Sequence, residues 1–297
     1  MLADPVTFMV DGQAVVGRLH RPTDGAPRGA LLVAGPMTSV KEQVTGVYAA
    51  ALAERGFAAL AIDHRHFGES EGQPRGLEDW PSKVADLRAA FAWLAAQAQA
   101  LGVTRLGGVG ICLGCGYMAY AAADTPEVRA LGLVAGYYRD PQAMRAADPA
   151  AFDAKVAQGR AAREAYETSG EVWTIPAAAA SGDAAMSTAD TVDYYCRRAA
   201  HPNYRNAFAV MSRERFLPFD VQAIASRVTA HTLMVHAPKA LSPAWAEAFA
   251  GKLAGPSRLE WLDSQGQTDF YDDPRLVGEA ADGLARHFAE TWGAPSA

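Results

Sequence analysis

Gly110-Ile111-Cys112-Leu113-Gly114 is the stretch whose reading decides the fold. Residues 105–111 form a short apolar run of strand length and residues 117–123 continue as an apolar helix, so the pentapeptide marks an abrupt strand-to-helix turn. Glycines two positions to either side let the two segments approach closely, and the central side chain then projects above the sheet edge. Here that side chain is a thiol. The competing reading is a buried cysteine acting as a small apolar filler at an ordinary turn, and the rest of the chain has to decide between them.

Around this turn, strand-like and helix-like runs alternate. Residues 8–19 alternate in polarity about Asp11-Gly12, a hairpin combination. Residues 30–35 and 58–63 are continuous apolar runs of strand length, and a helical pattern spans residues 45–55. In residues 82–98, Val84, Leu87, Phe91 and Leu94 recur at helical spacing. Residues 131–135, 232–236 and 258–262 again look like strands, and residues 274–292 like a closing amphipathic helix. Parallel strands need crossover connections, so this rhythm predicts an α/β chain with a mostly parallel central sheet and helices on both faces. It breaks at residues 141–226, which are helix-like, rich in alanine and aromatics, and without a clear buried strand. The expected organisation is one core built from residues 1–140 and 227–297, with residues 141–226 inserted as a helical cap. Ligands of open parallel sheets bind beyond the carboxyl ends of the strands, where Cys112 is placed.

Composition narrows the function. A chain of 297 residues, half apolar and a fifth charged, can bury a large core without disulfides or metal. Its three cysteines make no secreted disulfide framework, and the amino terminus lacks the basic patch and apolar run of a signal peptide, so a reducing cytoplasm is expected. A formal net charge of −6 argues against nucleic acid or an anionic membrane as a main partner. No metal-ligand cluster or phosphate-binding glycine fingerprint stands out, and no cofactor is expected.

Taken with Gly35-Pro36-Met37-Thr38-Ser39-Val40-Lys41-Glu42-Gln43, Asp63-His64-Arg65-His66-Phe67-Gly68-Glu69-Ser70 and Gln267-Thr268-Asp269-Phe270-Tyr271-Asp272, the elbow gives a chain that resembles the α/β-hydrolase superfamily over almost its whole length. More narrowly it is similar to the dienelactone-hydrolase-like branch, which includes small-ester hydrolases and fungal polyketide transferases. The resemblance implies an α/β-hydrolase fold, Cys112 as nucleophile, and the backbone N–H groups of Met37 and Leu113 as the oxyanion hole. It also exposes departures. The family histidine position is Gln267, the loop after His236 that should carry the acid reads Ala237-Pro238-Lys239-Ala240-Leu241-Ser242, and the place of a family glutamate is Pro36.

Glutamine donates and accepts hydrogen bonds but takes no proton near neutral pH. A thiol at a helix start is expected to have a lowered pKa, which makes some thiolate available without a partner base. Together these point to an activated ester or thioester of an apolar small molecule, processed by acyl transfer or slow hydrolysis. The candidate catalytic set is Cys112, Gln267 and His236, the last as a replacement base set against a structural imidazole; Tyr137, Tyr138 and Glu42 are candidate substrate contacts. His64 and His66 are read as loop anchors, His201 as a cap residue, and Asp269 as a helix cap. Tyr166, Trp173, Tyr194, Tyr195, Tyr204, Phe208, Phe216 and Phe219 either form a small core of their own or wall an apolar pocket. Alternatives from other classes are an inactive hydrolase-fold binding protein, a non-acylating lyase or isomerase using the oxyanion hole, and a Cys112/Cys115 dithiol. The expected partner is a small-molecule acyl substrate; a homo-oligomer stays open.

Overall fold

A computed structural model of the chain describes residues 2–293. The chain opens with β1 (Leu2–Val10) and β2 (Gln13–Arg21), an antiparallel hairpin. Its turn is Asp11 and Gly12, both at positive φ (49° and 78°), the mirror-image geometry that matches the right-handed strand twist. There follow β3 (Ala30–Ala34), α1 (Val44–Glu54), β4 (Ala58–Ile62), α2 (Trp80–Leu101), β5 (Leu106–Ile111), α3 (Gly114–Ala123) and β6 (Val128–Val134). The next segment carries α4 (Pro141–Ala147), α5 (Pro149–Ser169), β7 (Thr174–Ile175), α6 (Ala189–Asp193), a π-helical turn at Tyr194–Arg198, β8 (Phe208–Ala209) and α7 (Arg213–Phe216). The chain closes with β9 (His231–His236), α8 (Pro243–Ala250), β10 (Ser257–Trp261), α9 (Asp269–Asp272) and α10 (Pro274–Thr291).

The eight-stranded sheet runs β1-β2-β4-β3-β5-β6-β9-β10, antiparallel through β2 and β4 and parallel from β4 onward. Every residue of β3, β4 and β5 is buried, which is why these strands appear in the sequence as unbroken apolar runs rather than alternations. Adjacent glycines of β5 show the two covering layers. A Cβ at Gly107 would lie 2.8 Å from Phe288 of α10, and one at Gly108 2.4 Å from Met118 of α3 on the opposite face. α2 starts on an Asp79 cap, whose carboxylate accepts from Ser82 N–H at 3.2 Å, and stops at Gly102 in the left-handed region; α10 starts on Asp273 in the same manner.

From β3 the chain moves outward to β4, then crosses back to β5 on the other side of β3. That reversal makes β3 and β5 neighbours, with Ala34 paired to Gly110, so the loops leaving their carboxyl ends share one crevice. The segment between β6 and β9 adds no strand to this sheet. It does hold one short antiparallel pair, β7 with β8, where the sequence pattern showed only helix; strands of two residues are too short to generate a periodic pattern. Charge pairs tie this segment together, including Arg213 to Asp183 at 2.5 Å and Arg163 to Glu214 at 2.5 Å.

The elbow is the tightest point of the fold. A Cβ on Gly114 would stand 2.3 Å from Ala34 O and 2.5 Å from Gly35 O, and one on Gly110 would stand 2.6 Å from Cys115 Cα. Backbone atoms cannot yield as a flexible side chain would. Gly114→Ala is therefore expected to cost about 1–3 kcal/mol or more in chemical denaturation, whereas Gly278→Ala, where an added Cβ on α10 meets nothing within 4 Å, is expected to gain roughly 0.5–1 kcal/mol. Equal stability of the two variants would remove the steric account of the elbow.

Candidate active site

Cys112 sits at φ +55°, a conformation that L residues rarely adopt, and it is 6% exposed. The turn is held from three sides: Cys112 N–H donates to Val134 O at 3.0 Å, and its carbonyl accepts from Cys115 N–H at 3.1 Å and Tyr137 N–H at 3.0 Å. The side chain lines a mostly apolar cavity of about 330 Å³ together with Pro36, Met37, Leu113, Tyr137 and Tyr271. The structure thus brings Cys112, Met37 and Leu113 to one cavity.

The loop carrying Met37 is fixed by two buried carboxylates. Glu78, with no exposed surface, accepts from Thr38 N–H at 2.8 Å and from the Tyr117 hydroxyl at 2.6 Å, and pairs with Lys83 at 2.6 Å. Asp63, equally buried, accepts from Lys41 N–H at 2.7 Å and pairs with the Lys41 ammonium at 2.8 Å. Thr38 itself stands at φ +59°. A strained backbone pinned from behind needs no reorganisation when charge develops in front of it. Glu78 is a residue the sequence reading missed: Leu77-Glu78-Asp79 precedes a helix as many exposed acidic turns do, and nothing in that pattern marks burial.

Gln267 is buried and fully engaged. Its Nε2 donates to Ala135 O at 2.7 Å and lies 3.2 Å from the Tyr271 hydroxyl, while its Oε1 accepts from Leu241 N–H at 3.0 Å. Leu241 belongs to the loop after β9 where a carboxylate was sought; a backbone amide there suits a glutamine oxygen as a carboxylate would suit an imidazole N–H. The Tyr271 hydroxyl, the Leu113 N–H and the Gln267 amide all act on the Cys112 sulfur to lower its pKa. Burial outweighs them and pushes the thiol up to about 11. This corrects the expectation of an acidified thiol: at this helix start, burial raises the pKa by more than the N–H and side-chain donors lower it. Tyr271 joins the site as a second residue missed in sequence, four positions beyond Gln267 in the same quoted run.

The other candidates divide. His236 has no free ring nitrogen: Nδ1 accepts from Ala237 N–H at 2.9 Å and Nε2 is 3.1 Å from Gly136 O. Burial holds its pKa below the usual histidine value, and the geometry is that of the structural imidazole rather than of a replacement base. Tyr137 lines the cavity, but Tyr138 is turned into the core, fully buried and stacked on Phe249 at 4.5 Å. Glu42 lies away from the cavity lining and bridges Lys41 at 2.7 Å and the Asn203 amide at 3.0 Å, a loop-tying role. Asp269 is the first residue of α9 and not its cap, which is Thr268; its carboxylate accepts from Gln265 N–H at 2.7 Å and so braces the turn ahead of Gln267. His64 and His66 anchor their loop through Asp86 and Pro74 O, and His201 accepts from Asn203 N–H.

Cys115 is fully buried beneath the elbow, its thiol directed at Gly110 O (3.2 Å) and so toward the sheet, which gives the dithiol reading no support. Of the aromatic residues between β6 and β9, Tyr195 and Phe216 face the cavity; Phe219 instead stacks on Trp80 and Tyr117, and Trp173 is exposed. Among the described residues, Glu42, Asp63 and Glu69 bring carboxylate oxygens within 4.8 Å of one another, and the Lys41 ammonium pairs with all three. No helix of the described residues is long and apolar enough to cross a membrane.

Comparison with known proteins agrees with this architecture. The chain is 28% identical over 280 residues, 88% of either chain, to the uncharacterized protein YcjY of Escherichia coli (strain K12). Over a shorter stretch of 88 residues, 29% of either chain, it is 35% identical to the polyketide transferase claH of Penicillium crustosum. The structure of DcsB in complex with its substrate analogue superposes with a TM-score of 0.83 at 20% identity, covering 98% of this chain and 100% of that one, a likeness of fold. The model of the X-Pro dipeptidyl-peptidase (S15 family) matches residues 11–240, from the first hairpin turn to the loop after β9, and so ends before Gln267. The chain belongs to that S15 family, as an enzyme of α/β-hydrolase fold.

Proposed function

We propose that this protein is a cysteine-dependent acyl enzyme acting on an activated ester or thioester of an apolar small molecule, by acyl transfer or hydrolysis. The observation that carries the reading is the Cys112 thiol at a strained turn in the cavity wall, beside Met37 and Leu113 and with the Tyr271 hydroxyl and Gln267 amide acting on its sulfur. In the proposed course, Sγ adds to the acyl carbon while the Met37 and Leu113 N–H groups hold the oxyanion. The bond to the leaving thiol then breaks and the Cys112 proton departs with that thiol, leaving an acyl-thioester on Cys112. An acceptor amine or thiol attacks this thioester, its proton returning to Sγ. Tyr271 supports negative charge on sulfur as it develops, and Gln267 keeps Tyr271 in position.

The missing imidazole favours transfer over hydrolysis. Water needs a base to attack a thioester at a useful rate, and the general-base contribution is typically ~10²–10⁴-fold; an amine or thiol acceptor needs far less help. The raised thiol favours a second reading as well. A thiol and a phenol that both stay protonated could polarise a carbonyl for a lyase or isomerase step with no covalent intermediate.

Intact-mass measurement after incubation with a thioester panel separates these. An acyl adduct mapped to Cys112, absent in Cys112→Ala together with a loss of turnover of at least about 100-fold, is the expected result; undiminished turnover in Cys112→Ala would sink the acyl-enzyme reading, and turnover without any adduct would favour the second. The pH dependence is specific too. Because the thiol is held at about 11, iodoacetamide labelling of Cys112 should rise roughly tenfold per pH unit from 7 to 10 without levelling near 9, and Tyr271→Phe should slow it about tenfold further at fixed pH. Peptide mapping distinguishes this from labelling of the exposed Cys196.

A further inference from the structure

Arg139 is one of the largest fully buried side chains in the protein, and it lines the same cavity as Cys112. It stands five residues beyond the end of β6, at the carboxyl end of the sheet where ligands bind. Its guanidinium donates to Phe216 O at 2.8 Å and Leu217 O at 3.1 Å, lies 3.6 Å from Met144 Sδ, and covers the Phe216 ring at 4.2 Å. All of these partners are neutral. Among the described residues no carboxylate forms an ion pair with Arg139, and its Nε has no hydrogen-bond partner. Glu78, whose carboxylate acts on it electrostatically, is already paired with Lys83.

Carbonyl dipoles and an aromatic face offset only part of what a buried cation loses on leaving water. If the role were simply to clamp residues 216 and 217 to the end of β6, a neutral donor would suffice. The remaining charge faces a cavity whose lining contains no aspartate or glutamate but does contain a second cation, the exposed Lys155 of α5. Guanidinium groups cannot discharge by losing a proton at physiological pH, so the compensation has to come from outside the chain.

We propose that Arg139 and Lys155 form an anion subsite of this cavity and that the substrate carries a carboxylate, remote from its reacting acyl group, that docks there. Arg139 meets the carboxylate at depth, and Lys155 draws it in at the rim. This rests on the cavity being the substrate site, but not on Cys112 being acylated. The acyl chain then has an apolar middle, matching Tyr137, Tyr195 and Phe216, and a charged far end.

The test is a binding measurement that requires no turnover. Calorimetry on the wild-type protein compares a series of dicarboxylic acid monoamides, from glutaric to suberic, with their methyl esters and with inorganic phosphate. At least one free acid is expected to bind about tenfold or more tightly than its methyl ester, with the difference shrinking at high salt. Lys155→Glu, at an exposed position that leaves the core untouched, should reduce that preference several-fold. Arg139→Gln should abolish it, and Arg139→Lys should retain part of it through the charge alone. Equal affinity for acid and ester throughout the series overturns the proposal, as does an Arg139→Gln protein that is folded by circular dichroism and keeps the preference. Tighter binding of phosphate than of any monoamide would also overturn it, by making the anion a phosphate. Should Arg139→Gln fail to fold, the acid-to-ester ratio and the Lys155→Glu result decide. Absence of an acyl adduct on Cys112 in the mass experiment leaves these outcomes unaffected, so the two readings fail separately.

Discussion

The left-handed turn at Cys112 holds only because the backbone of β3 lies against Gly114 and the start of α3 lies against Gly110, at distances that no Cβ could occupy. From that contact follow the angle between β5 and α3, the nearness of the β3 loop to the sulfur, and the shape of the cavity. A strained residue persists where its surroundings over-determine it, and here three backbone hydrogen bonds on the N–H and carbonyl of Cys112 do so. The second strained position, Thr38, is held in a comparable way by Glu78, a carboxylate shared with Lys83 and Tyr117. Breaking a buried pair of this kind exposes an uncompensated charge and costs more than the pair contributes while intact. The Met37 loop is therefore tied to the stability of the core beneath α2 and α3.

The glutamine at position 267 sits in a coherent hydrogen-bond pattern. The Gln267 amide meets a carbonyl, a phenol and a backbone N–H, so no polar atom of it is left wanting. An amide takes up no proton near neutrality. Burial acts on its neighbours in the same direction: the Cys112 thiol is raised, and the Tyr271 hydroxyl is raised well above the usual tyrosine value. On the proposed function, the reactants supply and remove the protons, which places the selectivity of the reaction in substrate binding.

Much of this was readable from residue order. The hairpin at Asp11-Gly12, the buried strands, the helix over α2 with its apolar stripe, and the elbow are all local patterns whose physical causes act over a few residues. The family resemblance extended that reading to Met37, Leu113 and Gln267. Glu78, Tyr271 and Arg139 escaped it, since the partners that give them meaning lie on other elements: Glu78 is 39 positions from Tyr117, and Arg139 is 77 from Phe216. His236, Tyr138 and Glu42 stood out by type and position, yet each is engaged by backbone, core or a neighbouring charge.

Sequence alone determined the class of fold and the place of the sulfur in it, because strand and helix periodicity and glycine sterics are short-range properties. Tertiary structure decided the ionisation of that sulfur, the group that touches it, and the sign of charge inside the cavity. Those depend on burial and on distances between residues remote in the chain, and the energy of removing a charge from water is set by everything around it at once.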